Sequence, residues 1–246
     1  GMPVIDYIIG DPYVTPLSEF DHFTEKVWQL PESYFCFTPP KADLSVSELP
    51  ALSKGFVTFG GFNKLSRVTD GVVSIWAKIL HAVPDSILFL KDKQLDYESG
   101  RNRIFSRFAA HGITPGRLML EGRSTREEYL ACYHRVDIAL SPFPYGGGTT
   151  SAEGLWMGVP PLAKKGSYFL SHLGESIAHN SGLSDWLAVD EAEYVAKAVH
   201  FSSDLVALAA LRARLREQAL QSPLFDASRF AGNFERMVWA MRKSLD

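Results

Sequence analysis

The sequence predicts an α/β protein built on a parallel sheet, and three observations carry that prediction. Between residues 56 and 163, apolar runs of five or six residues alternate with stretches of helical periodicity. The runs are continuously apolar, as strands covered on both faces must be, whereas a sheet with one wet face would alternate. Each run is also separated from the next by enough chain for a helix, the spacing of right-handed βαβ units.

The elements follow in order. VIDYII (4–9) is a strand candidate, and residues 10–16 are rich in turn formers. A short helix is expected around Phe20 to Trp28, and YFCF (34–37) reads as another strand. Residues 38–55 carry three prolines and few apolar side chains, so they read as a linker between residues 2–37 and a domain at 56–246.

Regular periodicity then begins. FVTFG (56–60) is a strand ended by Gly60 and Gly61. A helix from about Thr69 gathers Val72, Val73, Ile75, Trp76, Ile79, Leu80 and Val83 on one stripe, with Thr69 as its cap. SILFLK (86–91), a polar helix from about 97 to 110 closed by Gly112, and RLMLE (117–121) come next. A helix over about 125–134, VDIAL (136–140), a helix over about 150–157 and VPPLA (159–163) complete the alternation. Beyond it the chain reads as helical from about 190 to 220, is broken at Ser222-Pro223, and ends in an amphipathic helix carrying Phe230, Phe234, Met237, Val238 and Met241.

Composition excludes several functions. Lys and Arg total 25 against 28 Asp and Glu, a net charge of −3, so no overall basic field holds nucleic acid or an anionic membrane. No apolar run approaches the roughly 18–20 residues of a membrane span. Cys36 and Cys132 are too few for a disulfide scaffold or an all-cysteine zinc site, and a reducing, cytoplasmic setting is expected. No histidines stand at metal-ligand spacing, so no metal is expected. The other histidines read as structural, and Ser171-His172 opens a helix where it either faces the cleft or, as the more common case, serves structure.

Ligands of open parallel sheets bind outside the carboxyl ends of the strands, which selects three loops. In the loop at 141–153, Gly146, Gly147 and Gly148 precede Thr149, Thr150 and a helix start, so backbone amides can approach a phosphate with no Cβ in the way. A plain turn also fits, with Thr149 or Thr150 as N-cap and Glu153 completing a capping box. The loop at 60–67 offers Lys64 and Arg67, three apart, as cations for one anionic group or as a solvated basic turn. In the loop at 122–128, Arg126 sits against the helix dipole, while Tyr129 either stacks on a base or packs. The glycine pattern matches neither G-x-x-x-x-G-K-[ST] nor G-x-G-x-x-G, which counts against a P-loop NTPase and a plain dinucleotide enzyme.

Taken together, DYIIGDPYVTP (6–16), EKVWQLPESYF (25–35), FGGFNKLSRVTDGVVSIWAKIL (59–80), DIALSPFPYGGGTTSAEGLWMGVP (137–160) and SPLFD (222–226) resemble the O-GlcNAc transferase-like glycosyltransferases. The resemblance implies a Rossmann-like, doubly wound parallel sheet: the C-terminal, nucleotide-binding lobe of a GT-B fold, with added C-terminal helices. Residues 2–37 would be the tail end of the N-terminal lobe. It implies a UDP-sugar donor, UDP-GlcNAc or another hexose, transferred with inversion to a protein serine or threonine and without cofactor or metal. The N-terminal lobe and the helical repeats that present acceptors would lie outside this chain.

Carried over by position, the resemblance places Arg67 at the family's phosphate-contacting lysine and Lys64 beside the diphosphate. Gly147, Gly148, Thr149 and Thr150 would cradle that diphosphate, Glu153 would bind the ribose hydroxyls, Arg126 would lie near the nucleoside, and the Ser124 backbone would meet the uracil. Tyr129 stands where animal members have a histidine. The competing expectation is a non-catalytic nucleotide-binding or protein-interaction module.

Overall fold

The computed structural model describes residues 4–243; Gly1 and Met2, and with them the start of the expected 2–37 unit, lie outside the described residues. A two-stranded parallel sheet comes first, β1 (Tyr7–Gly10) beside β2 (Lys26–Gln29). The helix expected around Phe20 to Trp28 is instead a 3-10 turn over Leu17–His22 followed by β2, because Val27 and Trp28 pair with Ile8 and Ile9. YFCF is not a strand. Its amides are taken one by one, Tyr34 N by the Asp11 carboxylate (3.0 Å) and Phe37 N by Leu224 O (2.7 Å), so no neighbouring strand can build a ladder there.

Residues 38–55 do not behave as a free linker. Leu49 and Ala51 are buried, Ala42 and Leu44 pack on the core, and a short helix α1 (Pro50–Lys54) ends at Gly55 in the left-handed region, φ 77°. The segment has few apolar groups, but its backbone is held by buried cations. Arg212 donates to Ser47 O (2.8 Å), Ser47 Oγ (2.9 Å), Val136 O (2.7 Å) and Tyr133 O (3.2 Å), and Arg216 donates to Leu44 O (2.7 Å).

The main domain alternates as expected through β3 (Thr58–Gly61), α2 (Asp70–Ala82), β4 (Ile87–Lys91), α3 (Glu98–Ala109), β5 (Leu118–Glu121), α4 (Arg126–Ala131), β6 (Ile138–Leu140), α5 (Thr149–Trp156) and β7 (Pro161–Lys164), and it goes on, beyond the expected alternation, through α6 (Leu173–Asn180) and β8 (Leu187–Ala188). Six strands form one parallel sheet in the order β5-β4-β3-β6-β7-β8. The chain therefore winds outward in one direction from β3 and in the other from β6, which with right-handed crossovers sets helices on both faces. Trp76, Phe59, Phe89, Phe108, Tyr133 and Tyr194 are among the largest buried side chains.

The helical run at 190–220 is two helices, α7 (Glu191–Ser203) and α8 (Leu205–Leu220), bent by 92°. Asp204 sits at the break and caps α8 by accepting the Ala207 N–H (2.9 Å). The last helix, α9 (Ala227–Lys243), follows.

The first segment is fastened by two buried polar groups. Asp11 accepts from Tyr13 N and Val14 N (both 2.9 Å) and from Ser176 Oγ on α6 (2.6 Å). His172, 1% exposed, stands between two carboxylates: Nδ1 is 3.0 Å from Glu175 Oε2, and Nε2 is 3.0 Å from Glu19 Oε1. It is thus a structural clasp. The hydrogen bond to Glu175 and then the one to Glu19 hold its pKa above the usual imidazole value against the opposing effect of burial.

Two outcomes follow from these fastenings. Arg212→Ala strips the donors from three carbonyls, those of Val136 and Tyr133 buried, and leaves Asp137 without its guanidinium, so it should destabilise by about 3 kcal/mol, while the similarly sized Arg212→Met should cost less. Urea midpoints check this. Because the folded pKa of His172 is raised, its contribution is full below the unfolded value of about 6.5 and is lost as pH rises through the folded value. Melting temperatures at about pH 6 and about pH 9 should therefore differ more for the unmodified protein than for His172→Gln.

Candidate functional site

The order of strands reverses between β3 and β6, so the loops leaving their carboxyl ends diverge and leave a crevice. A cleft of about 580 Å³ opens there, walled by Asn63, Lys64 and Arg67 on one side and Gly146 to Thr150 on the other. Phe35, Leu170 and Leu173 line its remaining rim.

Backbone packing explains the glycines. A Cβ on Gly147 would lie 2.2 Å from Thr150 Oγ1 and 2.9 Å from Asn63 Oδ1, so only glycine lets this turn approach the loop after β3. Gly60 likewise faces Val136, whose Cγ1 would be 2.7 Å from an added Cβ. The N-cap of α5 is Gly148, and no side chain caps the helix. The plain-turn reading, with Thr149 or Thr150 as cap and Glu153 closing a box, therefore fails. Instead the first amides of α5 face the cleft without a side-chain acceptor, the arrangement that favours an anion.

Arg67 lies in a 3-10 turn over Leu65–Arg67 and donates to Gly146 O at 2.7 Å, tying the cationic loop to the glycine loop. Lys64 is exposed at the head of the same turn. Thr150 Oγ1 donates to Asn63 Oδ1 at 3.3 Å. Asn63, 8% exposed, was not among the expected residues, although its place two beyond Gly61 at a strand's carboxyl end is a readable signal. Phe35 gave none, since the irregular segment that brings it to the rim has no periodicity.

Arg126, Tyr129 and Glu153 form a second cluster beside the cleft. Glu153 is 2% exposed, with Arg126 Nη2 2.5 Å from Oε1 and Tyr129 Oη donating to Oε2 at 3.1 Å. Burial pushes the Glu153 pKa up, and Arg126 and Tyr129 oppose it. The Tyr129 ring does not stand open for a base. It packs edge-on against Phe62 and Tyr133, at 5.8 and 6.1 Å between centroids, and the Arg126 guanidinium lies 5.5 Å from its centre. Ser124 is not brought to the glycine loop; it lines a separate polar cavity of about 570 Å³ with Lys91, Glu121 and Arg135.

The arrangement provides helix-start amides and two cationic side chains at one crevice, with a buried carboxylate beside it. Comparison with known proteins agrees with it. Residues 38–234 match glycosyl transferase family 41. A tomato (Solanum lycopersicum) protein described as a probable UDP-N-acetylglucosamine–peptide N-acetylglucosaminyltransferase, SPINDLY, is 39% identical over 98% of this chain, which spans 26% of its length. The structure of a Thermobaculum terrenum O-GlcNAc transferase superposes with a TM-score of 0.86 at 32% identity, over 96% of this chain and 44% of that one. Anabaena HepE, crystallised with UDP and glucose, shares the fold at a TM-score of 0.61 and 14% identity, over 96% of this chain and 63% of its own. The parallel sheet with flanking helices is thus a single GT-B-like lobe, and the chain belongs to glycosyl transferase family 41.

Proposed function

We propose that this chain is the donor-binding lobe of a UDP-sugar-dependent glycosyltransferase that transfers GlcNAc or another hexose to a protein serine or threonine with inversion. The observation that carries the reading is the crevice in which the uncapped start of α5 faces Lys64 and Arg67 across a glycine turn. A diphosphate is the leaving group of such a transfer, and its charge grows as the glycosidic bond to it breaks. The amides at Thr149 and Thr150 bind it, and Arg67 and Lys64 meet the growing charge. Arg67 begins hydrogen-bonded to Gly146 O, so its forked donors are aimed before the ligand arrives.

Glu153 receives the ribose hydroxyls in this reading, with Arg126 near the nucleoside and the Ser124 backbone meeting the uracil. The chain spans 26% of the tomato relative, which supports a second lobe and acceptor-presenting repeats elsewhere in the same polypeptide. The domain division at residues 38–55 belongs to the same reading, with that segment as a fastened strap. Two free thiols, Cys36 and Cys132, support a reducing cytoplasm as its setting.

Calorimetry on the 246-residue chain with UDP, GDP and ADP tests the reading. Saturable binding with UDP preferred is expected; binding of none of the three overturns it, and a preference for another nucleotide changes the donor. In an enzyme containing both lobes, Arg67→Ala should lower kcat by about 10²–10³-fold and raise the donor KM far less. Equal losses in both would remove Arg67 from leaving-group stabilisation.

A further inference from the structure

Resting on the donor reading, we infer that Tyr129 is a positioning residue that aims Glu153 at the ribose, so that the nucleotide's sugar is selected through a residue the nucleotide does not stack upon. Three observations lead there. The first is that both Glu153 oxygens are engaged, but by unequal partners. Arg126 Nη2 holds Oε1 with a side chain 56% exposed, whereas Tyr129 Oη holds Oε2 from a ring wedged among aromatic neighbours. An exposed arginine exchanges its partner readily, while a packed phenol does not.

The second observation is the packing itself. Phe62 lines the cleft and stacks on Tyr133 at 4.1 Å between centroids, and Tyr129 stands edge-on to both. Tyr133 Oη donates to Thr150 O at 2.9 Å, so the same aromatic group also fixes the first turn of α5, on which Glu153 rides. The third is electrostatic. Glu153 is nearly inaccessible, and a buried carboxylate keeps its charge only with donors in place. When a diol displaces Arg126 from Oε1, the Tyr129 hydroxyl remains as a fixed donor on Oε2. The carboxylate then presents its free lone pairs in one orientation and accepts two hydroxyl hydrogen bonds rather than one.

This assignment predicts a loss of ribose discrimination that a general loss of packing would not produce. The readout is the ratio of Kd for 2′-deoxy-UDP to Kd for UDP, measured by calorimetry on the 246-residue chain. A ratio of about tenfold is expected for the unmodified protein, the size of one hydrogen bond to a charged group. Tyr129→Phe should bring it near parity, and Glu153→Gln should do the same. In the Glu153→Gln background, Tyr129→Phe should change the ratio no further, because the two residues act as one unit. Arg126→Gln, made on an exposed side chain, should lower the ratio less than Tyr129→Phe does. A full ratio retained in Tyr129→Phe, or a larger fall in Arg126→Gln than in Tyr129→Phe, overturns the inference while UDP binding stands. An unmodified protein that binds UDP without preferring it to the deoxy form also overturns the inference alone. Failure to bind UDP at all overturns the donor reading beneath it.

Discussion

Asp137 is wholly buried just before β6, and its two carboxylate oxygens accept the backbone N–H groups of Thr58 (2.7 Å) and Ala51 (2.9 Å). One carboxylate thereby joins the start of β3, the start of β6 and the strap that precedes them. Burial pushes its pKa up; the two N–H donors, Arg212 and Lys54 act in the opposite direction. The consequence is geometric. With the entry ends of β3 and β6 pinned side by side, Phe59 pairs with Ile138 and Gly60 with Ala139, and the exit loops must leave the sheet next to each other. The chain winds away in opposite directions from these two strands, so nothing in the sheet itself fills the space between their loops. Asn63, Arg67 and the glycine turn line that space, downstream of the strand ends that Asp137 pins.

How much of this the sequence discloses depends on what holds each element. The central strands and helices were legible because each buries a periodic set of apolar groups, and burial over a whole element overrides local ambiguity. The first 55 residues were legible only in part. Their fastenings are individual polar bonds from Asp11, His172, Arg212 and Arg216 to partners more than a hundred residues away in several cases, and such bonds leave no periodic trace. Proline and small polar residues in 38–55 therefore looked like a tether, although two arginines on α8 hold the backbone down. The bend between α7 and α8 was missed for a related reason, since the apolar spacing continues across Asp204 and only its cap marks the break.

The site divides along the same line. Residues that act through backbone or through a short loop, the glycine turn with Lys64 and Arg67, lie together as their chain positions imply. Residues whose role depends on a side-chain partner did not reveal it. Tyr129 gave equal grounds for stacking and packing, and its hydroxyl meets Glu153 only because α4 lies alongside α5, a fact of tertiary structure. Ser124 lines the separate cavity of Lys91, Glu121 and Arg135.

The cleft and the cluster beside it also differ electrically. The chain carries a net charge of −3, so attraction for an anion arises locally or not at all. At the glycine turn the donors are backbone amides and a guanidinium already bound to Gly146 O, and fixed dipoles of this kind stabilise a developing charge without reorganising. Beside the cleft the group is a buried carboxylate, which would repel an anion were it open and close by. Arg126 and Tyr129 quench that repulsion by holding both oxygens. In the proposed reading the same two bonds leave the carboxylate open only to a partner able to replace a charged donor, as a vicinal pair of hydroxyls would and a phosphate oxygen, itself an acceptor, would not. Attraction and selection thus fall, in that proposed reading, to separate residues that share one helix, α5: its first turn lines the cleft, and its fifth residue carries the carboxylate.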